Sequence, residues 1–266
     1  MPVTVTTTTQ TQPITDSNFA SSLHTAMVNA GFSSSPHSYT TSTETRRVYF
    51  ETVNSDTYGT GIVETRIVTA STNNRQFTLA AYTSFNTSTN SGSGMVTSST
   101  TFTPATNSDL IYHAINGGVE FRQVIVRQGT NVWWITRLRP SLLRPSWWND
   151  NAYPYWFIQN NLASFNSYNV VGGASLSPWN DFYAVYTNRN INGVTPGNLR
   201  EIRTGLELEP LVAGGNKGLI GVLSDDFGTA NTTSLTPGVS TLVVNPGTDE
   251  WIVLAAGNAS WVARII

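Results

Sequence analysis

From Thr45 to its end, the chain breaks into short runs rich in Val, Ile, Thr, Tyr, Phe and Trp, each closed by Gly, Asn, Asp, Ser or Pro. β-branched and aromatic side chains fit a pleated, half-buried surface, and these closing residues make turns. The runs expected as strands are 45–53, 61–69, 75–85, 119–128, 131–139, 181–187, 200–208, 218–224, 241–245, 250–255 and 260–265. Turn signals separate them at Gln128-Gly129-Thr130, Pro246-Gly247-Thr248-Asp249 and Gly257-Asn258. So many short strands predict a mainly β protein, built as one or more antiparallel β-sandwiches.

One segment breaks this pattern. Phe19, Leu23 and Met27, with Ala20 and Ala30, make an apolar stripe at helical spacing, which predicts one N-terminal amphipathic helix from about Ser17 to Ala30. Asp16 or Ser17 is expected as its N-cap, and Gly31 stands where a C′ glycine ends a helix. A single stripe means one face docked on a sheet. Ahead of it, residues 1–12 form a Thr-rich extended arm, in which Val3 and Val5 are the apolar members, expected to need a partner. The chain then divides into helix and linker (13–44), a first β region (45–139), an irregular aromatic-rich excursion (140–180) and a second β region (181–266). The two β regions can share one sandwich.

Charge is scarce: 11% of the residues are charged, against about a quarter in a typical domain. Lys217 is the one lysine among fourteen basic residues, and Thr, Ser and Asn, about a third of the chain, keep the surface hydrated. Lysine is depleted from protein contacts, whereas Arg, Tyr and Trp are enriched there. The composition is therefore that of a subunit that works against neighbours, not of a free enzyme. A net charge of −2 argues against binding nucleic acid by general phosphate attraction. No apolar run approaches a membrane span, so no membrane insertion is expected. With no Cys, disulfides and thiolate chemistry are excluded.

The aromatic block is the sharpest feature. Six of the eight tryptophans fall between Trp133 and Trp179: Trp133, Trp134, Trp147, Trp148, Trp156 and Trp179, joined by Tyr153 and Tyr155. Trp133 and Trp134 are adjacent in an expected strand, so one ring enters the core while the other points to the opposite face. Arg137, Arg139 and Arg144 lie beside them. The block has three open readings: packing that closes one end of the sandwich, a subunit contact of Arg–aromatic stacks, and a sugar-stacking platform.

The catalytic inventory is thin. His24, His37 and His113 show no metal-binding spacing and read as polar surface or hydrogen-bonded residues, so no metal and no cofactor are expected. Gly214-Gly215-Asn216-Lys217-Gly218 has Gly where a phosphate loop needs Ser or Thr, and reads as a hairpin turn. Carboxylates such as Asp150, Asp181, Asp225, Asp226, Asp249 and Glu250 would have to pair in space to serve a glycosidase, and spacing alone gives no pairing.

The amphipathic segment Phe19 to Phe32, ending in Ala30-Gly31-Phe32, resembles the opening of structural proteins of tailed bacteriophages. Arg47-Val48-Tyr49-Phe50-Glu51, Phe121-Arg122-Gln123-Val124-Ile125-Val126-Arg127, Leu138-Arg139-Pro140, Tyr153-Pro154-Tyr155 and the closing Trp251-Ile252-Val253-Leu254 to Trp261-Val262-Ala263-Arg264 are similar in character to such virion proteins. The resemblance implies a virion component of the tail, baseplate or adhesin type, made in the host cytoplasm. Its partners would be copies of itself and other virion proteins. A carbohydrate-binding adhesin reading a host surface glycan through Trp147, Trp148, Tyr153 and Trp156 is the alternative, with a capsid-decorating protein or a polysaccharide depolymerase behind it. The arm at Val3 and Val5 is the first candidate for a strand added to a neighbour's sheet.

Overall fold

A computed structural model describes residues 3–52, 60–69, 75–82, 84–93, 96–97, 102–118, 122–137, 139–140, 155–159, 169–171, 202–204, 207–208, 211–212, 215–216, 221–222, 227–230, 236–239, 241–245, 249–255 and 260–265. The elements of the first half are β1 (Thr4–Gln10), α1 (Asp16–Asn29), β2 (His37–Thr40), β3 (Glu44–Thr52), β4 (Thr60–Val68), β5 (Phe77–Tyr82), β6 (Ser84–Asn86), β7 (Ser91–Ser93), β8 (Val96–Thr97), β9 (Leu110–Asn116), β10 (Arg122–Gln128) and β11 (Asn131–Arg137). The second half adds β12 (Arg139–Pro140), β13 (Tyr155–Gln159), β14 (Asn169–Val171), β15 (Ile202–Thr204), β16 (Glu207–Leu208), β17 (Leu211–Val212), β18 (Gly215–Asn216), β19 (Gly221–Val222), β20 (Phe227–Ala230), β21 (Thr241–Asn245), β22 (Asp249–Ala255) and β23 (Ser260–Arg264). The protein is mainly β, and every described strand pair is antiparallel.

Two sheets share one core. The first runs β1-β9-β10-β11-β13-β14 and the second β2-β3-β4-β5-β8. Alternation along each strand sends Tyr112, Ala114, Val124, Val126, Trp133 and Ile135 from the first sheet against Tyr49, Val63, Ile67, Phe77 and Leu79 from the second. α1 contacts β1, β9 and β4, so its stripe of Phe19, Ala20, Leu23, Ala26 and Met27 completes the same core. Three rings tie the layers together: Phe19 of α1 meets Phe77 edge-on at 6.0 Å, and Phe77 meets Trp133 at 4.2 Å. Edge-to-face pairs of this kind add about 0.5–1.5 kcal/mol beyond the area they bury.

The helix starts one residue earlier than its sequence suggests. Thr15, not Asp16 or Ser17, is the N-cap: its hydroxyl accepts from the Asn18 amide while the Asn18 side chain accepts from the Thr15 amide, at 3.3 and 2.7 Å. This reciprocal box satisfies two donors that the first turn leaves open. At the other end Gly31 takes φ +94°, and the amides of Gly31 and Phe32 donate to the carbonyls of Val28 and Met27. That Schellman closure needs a left-handed residue, as expected of Gly31.

A third sheet runs β15-β20-β23-β22-β21 and buries Trp251, Ile252, Val253, Leu254 and Ala263. It meets the first sheet where β22 lies against β11. The turn at 236–239 bridges them, since the Gly238 amide donates to the Val253 carbonyl at 2.8 Å and the Gly238 carbonyl accepts from the Arg127 guanidinium at 2.6 Å. Hence Ile115, Gln123, Ile125 and Val132, which alternation places on the face of the first sheet away from the shared core, are buried too.

Candidate functional site

The Thr-rich arm finds its partner within its own chain. β1 pairs with β9 over seven residues without a bulge, from Thr4 opposite Asn116 to Gln10 opposite Leu110. The arm that holds Val3 and Val5, expected to need a partner, thus has one side paired inside its own sheet. The reason lies in hydrogen bonds that the arm makes nearby. Gln10 accepts from the Tyr112 hydroxyl and donates to Asn18 on α1, both at 2.6 Å, and Thr7 bonds the His113 ring at 2.9 Å.

Of the adjacent pair, Trp133 is the ring that enters the core, fully buried against Phe77. Trp134 sits in β11 with Ile125 and Ile158 as its cross-strand neighbours. Register places Arg137 opposite Tyr155, and Thr136 opposite Trp156. The excursion expected to be irregular therefore contributes β13 and β14 to the first sheet, and Arg139 opens β12. Arg144, Trp147, Trp148 and Tyr153 lie outside the described residues. The glycine-rich stretch near Lys217 contributes β18 to a hairpin with β17.

Pairing with β9 leaves β1 at the end of its sheet. No backbone hydrogen bond reaches it from any described residue outside β9. Thr4, Thr7 and Thr9 are exposed along it, and residues 3–12 hold no charge. Natural edges are usually guarded by Lys, Pro or a bulge. This strand has none of them.

A second feature, absent from the sequence reading, occupies the outer face of the second sheet. Glu64 on β4 is fully buried there, accepting from the Tyr82 hydroxyl at 2.6 Å, the Arg66 guanidinium at 2.6 Å and the Tyr39 hydroxyl. Arg46 spans Tyr39 and Glu44 above it and lies over the Tyr39 ring at 5.7 Å. Val48, Ile62, Ala80 and Tyr82 form an apolar floor on which half-buried Tyr39, Phe50 and Phe85 pack. The hairpin β6–β7 folds onto this floor because Gly92 lies beneath the Tyr82 ring, where an added Cβ would stand 2.0 Å from a ring carbon. Burial, then the bond to Glu64, raises the Tyr82 phenol well above its ordinary value. Glu64 accepts from three donors and so forms the centre of a structural network. Its one sequence signal is period two: Arg46, Val48 and Phe50 on β3 match Ile62, Glu64 and Arg66 on β4.

His113, expected as a polar surface or hydrogen-bonded residue, is buried and hydrogen-bonded on β9. The Arg127 Nε–H donates to its Nε2 at 3.0 Å, leaving the Nδ1 proton to face the Thr7 hydroxyl. Burial first, and Arg127 second, pull its pKa down to about 3. His24 bonds the Tyr49 hydroxyl at 3.0 Å, and His37 bonds Asn90 at 2.7 Å. No three His, Asp or Glu residues gather in metal-binding geometry among the described residues. No helix among them is long and apolar enough to cross a membrane. No protein-family model matches the chain, and a comparison with curated proteins finds no match.

Proposed function

We propose that this protein is a structural subunit of a tailed-phage particle, of the tail or baseplate type. It acts by binding copies of itself and other virion proteins through sheet edges and aromatic–arginine contacts. The observation that carries this reading is the open edge of β1: seven residues in regular register, uncharged and unguarded. A soluble monomer with such an edge is prone to pairing, whereas a subunit whose neighbour caps it has no need of a guard. The near absence of lysine from the whole chain supports the same reading. The test is sedimentation: the protein, labelled and expressed during infection, should travel with assembled particles. Recovery wholly in the unassembled fraction would refute the proposal.

The half-buried rings of Tyr39, Phe50 and Phe85, bordered by Arg46 and by the His37–Asn90 pair, favour one alternative, an adhesin that stacks a host glycan. Saturable glycan binding lost in Phe85→Ala would support it.

A further inference from the structure

We infer that the open edge of β1 is the contact site for a second copy of this chain. Two β1 strands would pair antiparallel about a two-fold axis and join two six-stranded sheets into one. This deepens the assembly reading of the preceding subsection and rests on it. Three observations carry it. First, the outer edge of β1 has no hydrogen-bond partner among the described residues, and the strand is straight enough to keep seven consecutive pairs with β9. A ladder that regular on one side presents an equally regular row of donors and acceptors on the other.

Second, the strand is its own complement. Full overlap of Thr4–Gln10 with a two-fold copy sets Thr7 opposite Thr7, Thr6 opposite Thr8, Val5 opposite Thr9 and Thr4 opposite Gln10. Cross-strand Thr–Thr and Val–Thr pairs are favourable, and like charges, the usual obstacle to self-pairing, are absent from every position. Such an isologous contact closes with two copies and leaves no edge for a third at this site. Third, the strand is already ordered in the single chain by Tyr112, Asn18 and His113. Association therefore does not have to bear the entropy of ordering an arm, as it would for a free peptide.

The experiment measures mass by light scattering across a concentration series, with two variants of the full chain. Opposed residues in an antiparallel pair lie about 4.5–5.5 Å apart, within reach of a disulfide. Thr7→Cys should therefore give an oxidation-dependent covalent dimer, the chain having no other cysteine. Thr9→Lys should weaken the dimer at least tenfold by placing a guard charge on the edge, and unchanged near-ultraviolet circular dichroism establishes that both variants fold. Thr9 makes no side-chain hydrogen bond to another described residue, unlike Thr7. A multimer that survives Thr9→Lys and yields no disulfide with Thr7→Cys overturns this inference while leaving the assembly reading standing. A wild-type chain that stays monomeric at every concentration also overturns it, and the assembly reading is then decided by sedimentation with particles.

Discussion

Mild acid should weaken this protein, and His113 is the cause. Its ring is buried with Nε2 accepting from Arg127, so protonation would set two N–H donors face to face beside a guanidinium charge. The folded chain holds the ring neutral down to about pH 3, while the unfolded chain takes up the proton near the ordinary imidazole value of 6.5. Because the unfolded state binds more protons, stability is fully present above 6.5 and falls as the pH drops toward 3. One pH unit well below the unfolded pKa is worth about 1.4 kcal/mol, so acidification from about pH 7.5 to about pH 5 should remove about 2 kcal/mol. Urea denaturation at several pH values measures this. In His113→Gln the amide keeps one acceptor for Arg127 and one donor for Thr7 without titrating, so the loss over that window should largely vanish. His24 shifts in the same direction but is only half-buried, so His24→Gln should leave most of the loss in place. Equal losses in the wild type and His113→Gln would refute the reasoning.

Other parts of the fold make separate claims. Glu64→Ala strands the Arg66 guanidinium and two tyrosine hydroxyls around a lost carboxylate, and should destabilise by about 3 kcal/mol in urea titration. Gly238 has φ +71°, and an added Cβ would stand 2.5 Å from the Gly129 carbonyl oxygen, so Gly238→Ala should lower stability by about 1–3 kcal/mol. It should also raise hydrogen exchange in β22, which the turn ties down. Thr15→Ala removes the helix cap and should cost about 1 kcal/mol, with exchange rising first at the Asn18 amide.

Strands rich in β-branched and aromatic residues were legible in the sequence, including β10 and β22, which are buried on both faces. β3, β4 and β11 fall where Thr45 to Val53, Gly61 to Thr69 and Asn131 to Arg139 predict them, because each alternates one core-facing set with another. β9 was missed. Tyr112 and Ala114 face the shared core while His113 and Ile115 are covered from the other side, so Leu110 to Asn116 shows no period of two, and Ala is a poor strand former. Without β9 the arm had no visible partner, and its assignment to a neighbour followed from that gap. The Glu64 cluster was hidden for a different reason: its members come from β2, β3, β4 and β5, and only their register brings them together. His113 shows the same limit, since its partners Thr7 and Arg127 are set by the pairing of β9 with β1 and β10.

Thr7 and His113 are separated by 106 positions in the chain. At about 5–20 residues made per second, the ribosome delivers β9 some 5–20 seconds after β1. Through that interval the first strand waits with both sides bare while β3, β4 and β5 zip up as local hairpins. A strand of Val and Leu would use the delay to aggregate. One of threonine stays hydrated, which gives the unusual opening of this chain a role in its synthesis as well as in its finished sheet.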